Sequence, residues 1–69
     1  MAKMFVTHDD GKLFQLEYSV CFWVLGDRRN PIGERRFDTL AAAKRDAAML
    51  RKKYHYGTSI SERHILVSQ

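Results

Sequence analysis

The segment Asp38-Thr39-Leu40-Ala41-Ala42-Ala43-Lys44-Arg45-Asp46-Ala47-Ala48-Met49-Leu50-Arg51-Lys52-Lys53-Tyr54-His55-Tyr56-Gly57 decides the fold. Leu40, Ala43, Ala47, Leu50 and Tyr54 recur at alternating intervals of three and four residues, the spacing that puts apolar side chains on one face of an α-helix. Thr39, or Asp38 before it, can take a free backbone N–H at the start of the helix. Arg51, Lys52 and Lys53 fall in the last turns, where cations complement the helix dipole. Gly57 then offers the left-handed position that ends a helix. The pattern predicts one helix from Thr39 to Tyr56.

Upstream the period changes to two. Phe14, Leu16, Tyr18, Val20, Phe22 and Val24 alternate with Gln15, Glu17, Ser19, Cys21, Trp23 and Leu25, which predicts one long strand. Lys3 to Thr7 reads as a shorter strand, joined to the long one through His8-Asp9-Asp10-Gly11. Gly26 to Gly33 is a loop rich in turn residues, and Glu34 to Phe37 a third strand leading into the helix cap. Ser59 to Val67 reads as a fourth. The expected fold class is α+β, a single two-layer domain over residues 1–69 in the order β-β-β-α-β. The first three strands are expected to form an antiparallel meander. The fourth is expected to run parallel to the third and to lie beside the first by a right-handed crossover.

A chain of 69 residues has little volume for a deep catalytic cleft. Its composition, 45% hydrophobic and 29% charged, is that of a folded globular domain. Cys21 is the single cysteine, so no internal disulfide forms and a reducing, cytoplasmic setting is expected. No apolar run approaches a membrane span, and His8-Asp9-Asp10 interrupts the N-terminus before a signal peptide's apolar region develops. The net charge of +4 is uneven. Residues 1–26 carry a net −1, residues 27–56 a net +5, and residues 57–69 are neutral. A positive half of this kind is the footprint of a surface for polyanions.

Catalysis has no motif to rest on, and no enzyme activity is expected. His8, His55 and His64 show no ligand spacing, so no metal site is expected; His8-Asp9-Asp10 reads as a polar turn. Cys21 lies mid-strand between Val20 and Phe22 without a histidine nearby, a half-buried thiol rather than a nucleophile. No glycine-rich phosphate loop is present, and no cofactor is implied.

Two surfaces remain. With Phe14 through Val24 turned to the helix, Trp23 faces outward beside Arg36, with Arg28 and Arg29 on the adjoining loop. Guanidinium groups suit phosphate or guanine, and an indole suits sugar or base. Glu17 and Glu34 share that face and oppose a phosphate track. The second surface is the outer side of the helix, where Arg45, Lys52 and Lys53 accompany Met49, Ala41 and Ala48. Methionine and arginine are enriched in protein interfaces, and this strip suits a protein partner.

Phe22-Trp23-Val24, a polar turn, Gly33-Glu34-Arg35-Arg36-Phe37 and Thr39 opening an alanine-rich helix together resemble the arm-type DNA-binding domains of phage and transposon integrases. The stretch is also similar to plant ethylene-response-factor domains. Those families lay a three-stranded sheet in the major groove, with a helix behind. The resemblance, over about half the chain, implies DNA contact by Trp23, Arg28, Arg29 and Arg36, and a core role for Phe37 and Leu40. The fourth strand is additional to that pattern, and Glu17 would face the DNA. A free-standing module of this kind resembles an excisionase-like or regulatory phage protein. Its size and charge also resemble phage-encoded inhibitors, anti-CRISPR proteins among them, that block a host nucleic-acid-handling complex. Two functions are therefore expected to compete: a nucleic-acid-binding regulator, with DNA favoured over RNA, and a protein inhibitor or adaptor.

Overall fold

The computed structural model describes residues 3–68 and shows an α+β domain in the expected order. It comprises β1 (Phe5–Thr7), β2 (Leu13–Val24), β3 (Gly33–Phe37), α1 (Leu40–Tyr54) and β4 (Tyr56–Ser68). Each of β1, β3 and β4 pairs antiparallel with β2. Because β4 follows β2 from Leu13 to Val24, β1 (at Leu13–Gln15) and β3 (at Tyr18–Phe22) share the opposite edge. The backbone agrees: the Leu16 N–H donates to Met4 O at 2.8 Å, and Phe22 O accepts from the Ile32 N–H at 2.8 Å. Residues of equal parity in a strand turn their backbone groups to the same side.

The last strand runs in the direction of β3, as expected, but it lies beside β2 and not beside β1. The reason is length. A three-residue β1 offers β4 almost no ladder, whereas the twelve residues of β2 pair nearly all of it.

Alternation along β2 sends Leu16, Tyr18, Val20 and Phe22 to the helix side. Tyr18 and Val20 form the core with Ala43, Ala47 and Leu50, and Leu16, Phe22, Phe37 and Tyr56 pack around it. Two alanines at the contact let the helix axis approach the sheet closely. Leu40 and Tyr54, expected in this stripe, are 38% and 48% exposed. They are the first and last helical residues, with no further turn to close over them. Tyr54 instead stacks on Tyr56, and Tyr56 on Phe22, at centroid separations of 5.5 and 5.6 Å.

Thr39 caps α1, its hydroxyl accepting from the Ala42 N–H at 3.2 Å. The C-terminus differs from expectation. His55, not Gly57, takes the left-handed conformation (φ 60°, ψ 33°), and its N–H donates to Arg51 O. The helix therefore ends at Tyr54, and Gly57 is a buried residue inside β4. At the first hairpin the Asp-Gly signal holds. Gly11 adopts φ 83°, and its N–H donates to His8 O at 2.9 Å.

The two layers differ in length. Fifteen helical residues span about 22 Å, while twelve strand residues span about 40 Å. Helix α1 follows Phe37, which pairs with Tyr18, and leads into Tyr56, which pairs with Val24. It thus covers the Tyr18–Val24 half of the sheet and leaves the half around Phe14 and Leu66 open on that side.

Candidate nucleic-acid interface

The covered end of the sheet gathers five cations that have no ion partner among the described residues. There β2 leaves at Val24, the loop carrying Arg28 and Arg29 turns back to Gly33, and the last turn of α1 brings Arg51, Lys52 and Lys53. All five side chains are exposed, and none is ion-paired among the described residues. Arg51 donates to the Thr58 hydroxyl at 2.8 Å, which fixes its direction along β4. The nearby carboxylate of Asp27 accepts from the Asn30 amide at 2.8 Å, a contact that shapes the loop.

Aromatic rings interleave with these cations. The Arg28 guanidinium lies 5.0 Å from the centroid of Trp23, and the Lys53 ammonium 5.4 Å from that of Tyr54. Trp23 is half-buried, because its indole lies across Gly57 on the neighbouring strand; a Cβ at Gly57 would overlap the indole Nε1. With Arg28 against it as well, Trp23 offers little free ring surface. Tyr54, on the other face of the sheet, is the more open ring.

Arg36 has a different setting. Its Nε lies 3.4 Å from Glu34 Oε1 and 3.8 Å from Glu17 Oε1 on the face away from the helix. Arg63 reaches the same Glu17 oxygen from β4 at 3.7 Å. That oxygen is buried and has no hydrogen bond, so the two guanidinium groups balance its charge only at a distance. The flat sheet face is therefore close to neutral. Arg35, on the helix side, donates to Asp46 at 2.7 Å.

Along the exposed side of α1, Lys44, Arg45 and Lys52 stand among Ala41, Ala48 and Met49. Asp46 is the helix's one carboxylate, and it is held by Arg35. This row of cations continues into the cluster at the helix end.

A polar chain that the sequence did not disclose lies at the open half. His8 Nε2 and His64 Nδ1 are 2.7 Å apart, His64 Nε2 meets Glu62 Oε2 at 3.0 Å, and the Tyr18 hydroxyl donates to Glu62 Oε1 at 3.2 Å. The His64 hydrogen bond, and after it that of Tyr18, hold Glu62 below its ordinary carboxylate range. Burial, helped by the Glu62 contact, raises the Tyr18 hydroxyl. His8 also stacks on Phe14 with centroids 3.8 Å apart. The chain ties the hairpin turn to β4. Among the described residues no three histidine, cysteine or acidic side chains converge as metal ligands, and no helix is long and apolar enough to cross a membrane.

No protein-family model, curated protein or solved structure matches this chain.

Proposed function

We propose that this chain is a non-enzymatic nucleic-acid-binding protein that grips phosphates with the 26–32 loop and the end of α1. The observation that supports this reading is that Arg28, Arg29, Arg51, Lys52 and Lys53, all exposed and none ion-paired among the described residues, lie at one end of the sheet, where Lys53 sits against the exposed Tyr54 ring. Cations without carboxylate partners retain their full attraction for phosphate, and an exposed ring adds sequence-tolerant stacking. The flat sheet face, which the resemblance to arm-type domains would lay in the major groove, carries Glu17 and Glu34 against Arg36. Arg36 is accordingly a lesser contact than Arg28 and Arg29. DNA is the first ligand to try and RNA the second.

Fluorescence anisotropy with labelled single-stranded and duplex DNA tests the reading. On duplex DNA three to five phosphate contacts give a log–log salt slope of about −3 to −4.5. Replacing Arg28 and Arg29 by glutamate, or Lys52 and Lys53, should each weaken binding by about tenfold or more, with Arg36→Glu the milder change. Absence of binding at low salt overturns the reading.

A second reading rests on Met49, exposed between Arg45, Lys52 and Lys53 on the outer side of α1. There the chain docks as an inhibitor or adaptor on a nucleic-acid-handling protein complex. A partner captured from lysate that survives nuclease treatment and is lost on Met49→Glu favours this alternative.

A further inference from the structure

The two edges of the sheet are unlike. One is divided between β1 and β3, of three and five residues, and short interrupted edges resist pairing with another chain. The other is β4, thirteen residues without proline, its ladder with β2 irregular only at the Leu13/Phe14 end. Even-numbered residues of β2 turn their backbone groups to β1 and β3, as Leu16 and Phe22 show. The odd-numbered ones therefore bond β4, and their partners there are Gly57, Ser59, Ser61, Arg63 and Ile65. It follows that Thr58, Ile60, Glu62, His64 and Leu66 direct free N–H and C=O groups outward. Ile60 and Leu66 are exposed on that strand, and both side chains lie on the helix side of the sheet.

We propose that β4 pairs with β4 of a second copy of this chain, antiparallel about a two-fold axis at Arg63, to form one continuous sheet. An axis perpendicular to the sheet keeps helix-side residues opposite helix-side residues, so the permitted registers are few. With the axis at Arg63, Ile60 meets the partner's Leu66 and Glu62 meets the partner's His64, each pair occurring twice. The outward backbone groups of those same residues then bond to each other. Moving the axis by one residue either way sets Glu62 against Glu62 or His64 against His64, and leaves Ile60 and Leu66 opposite polar residues. Arg63 opposes its own copy on the other face, but each has its Glu17 at 3.7 Å.

Helix placement fits the same register. Each α1 covers the half of its sheet that begins at Tyr18, and Tyr18 pairs with Glu62. The axis at Arg63 therefore sets each helix diagonally from the other, beside the partner's open half with its exposed Leu66. The two helices do not collide. A single strand pairing buries less than the roughly 800 Å² per partner of a standard interface, so the dimer is reversible and weak. The inference uses none of the cations invoked for nucleic acid and stands apart from that reading.

Sedimentation velocity on the 69-residue chain, from about 5 to about 500 µM, should show a shift from 8.1 kDa toward twice that mass. Ile60→Lys, at an exposed edge position, should weaken the dimer by about tenfold or more while circular dichroism stays unchanged. Hydrogen exchange fixes the register without any variant. Amides of Ile60, Glu62, His64 and Leu66 should gain protection as concentration rises, while those of Ser59, Ser61 and Arg63 are protected throughout. A monomer across the whole range overturns the proposal. So does a dimer in which the even-numbered β4 amides stay unprotected.

Discussion

Gly57 shows how one residue type can satisfy two different rules. A glycine shortly after a basic helical turn fits the left-handed stop, and the sequence supports that reading. His55 performs that role, and Gly57 is needed because the Trp23 indole crosses the strand there. Nothing local announces this, since the cross-strand neighbour is set by the register of β2 with β4. Gly57→Ala should force the indole off the strand and away from Arg28. We expect a loss of about 1–3 kcal/mol, the range for overpacking a well-packed site, together with a red shift of tryptophan emission. An unshifted spectrum with unchanged stability would show that Trp23 does not rest on Gly57. The meeting of His8 with His64, 56 residues apart, was illegible for the same reason. Side chains that meet only through strand pairing leave no spacing to find.

At the scale of elements, what was legible came from local periodicity. The alternation through Phe14–Val24 and the three–four spacing through Leu50 each depend on neighbours within one strand or helix, so β2 and α1 were placed to within a few residues. The position of β4 beside β2 was not, because it depends on which edge offers the longest ladder. The same limit applies to the candidate site. Strand parity was enough to put Arg36 with Glu17 and Glu34, whereas the placing of the Arg28–Arg29 loop and the end of α1 at one end of the sheet depends on the strand pairing. The packing itself is open to test at Leu50, the largest helical side chain in the core at 3% exposed. Leu50→Ala should cost about 2–5 kcal/mol in chemical denaturation, because it empties the space between Val20 and the helix. A loss below about 1 kcal/mol would mean that the helix is held mainly by its ends.

The molecule as a whole is long and thin, with extents of 42 × 25 × 14 Å, and its stability should be graded along the long axis. At one end two layers enclose Tyr18, Val20, Ala43, Ala47 and Leu50. At the other, three-residue β1 and its hairpin lie on a single layer, tied by the Leu16–Met4 backbone bond and by the His8–His64 contact. Backbone hydrogen bonds without buried apolar cover open locally, while those over a core open only with global unfolding. Hydrogen exchange at low protein concentration should therefore separate two groups of amides. Those of Tyr18 to Phe22 should exchange with the free energy of global unfolding and follow denaturant with the full slope. The Leu16 and Val6 amides, which bond across the β1–β2 ladder, should exchange faster and with little denaturant dependence. His8→Ala, which removes both the His64 contact and the stacking on Phe14, should speed the second group and leave the first within a few tenths of a kcal/mol. Equal protection along the whole of β2 would mean instead that the sheet unfolds as one unit, with the uncovered half as firmly held as the half beneath α1.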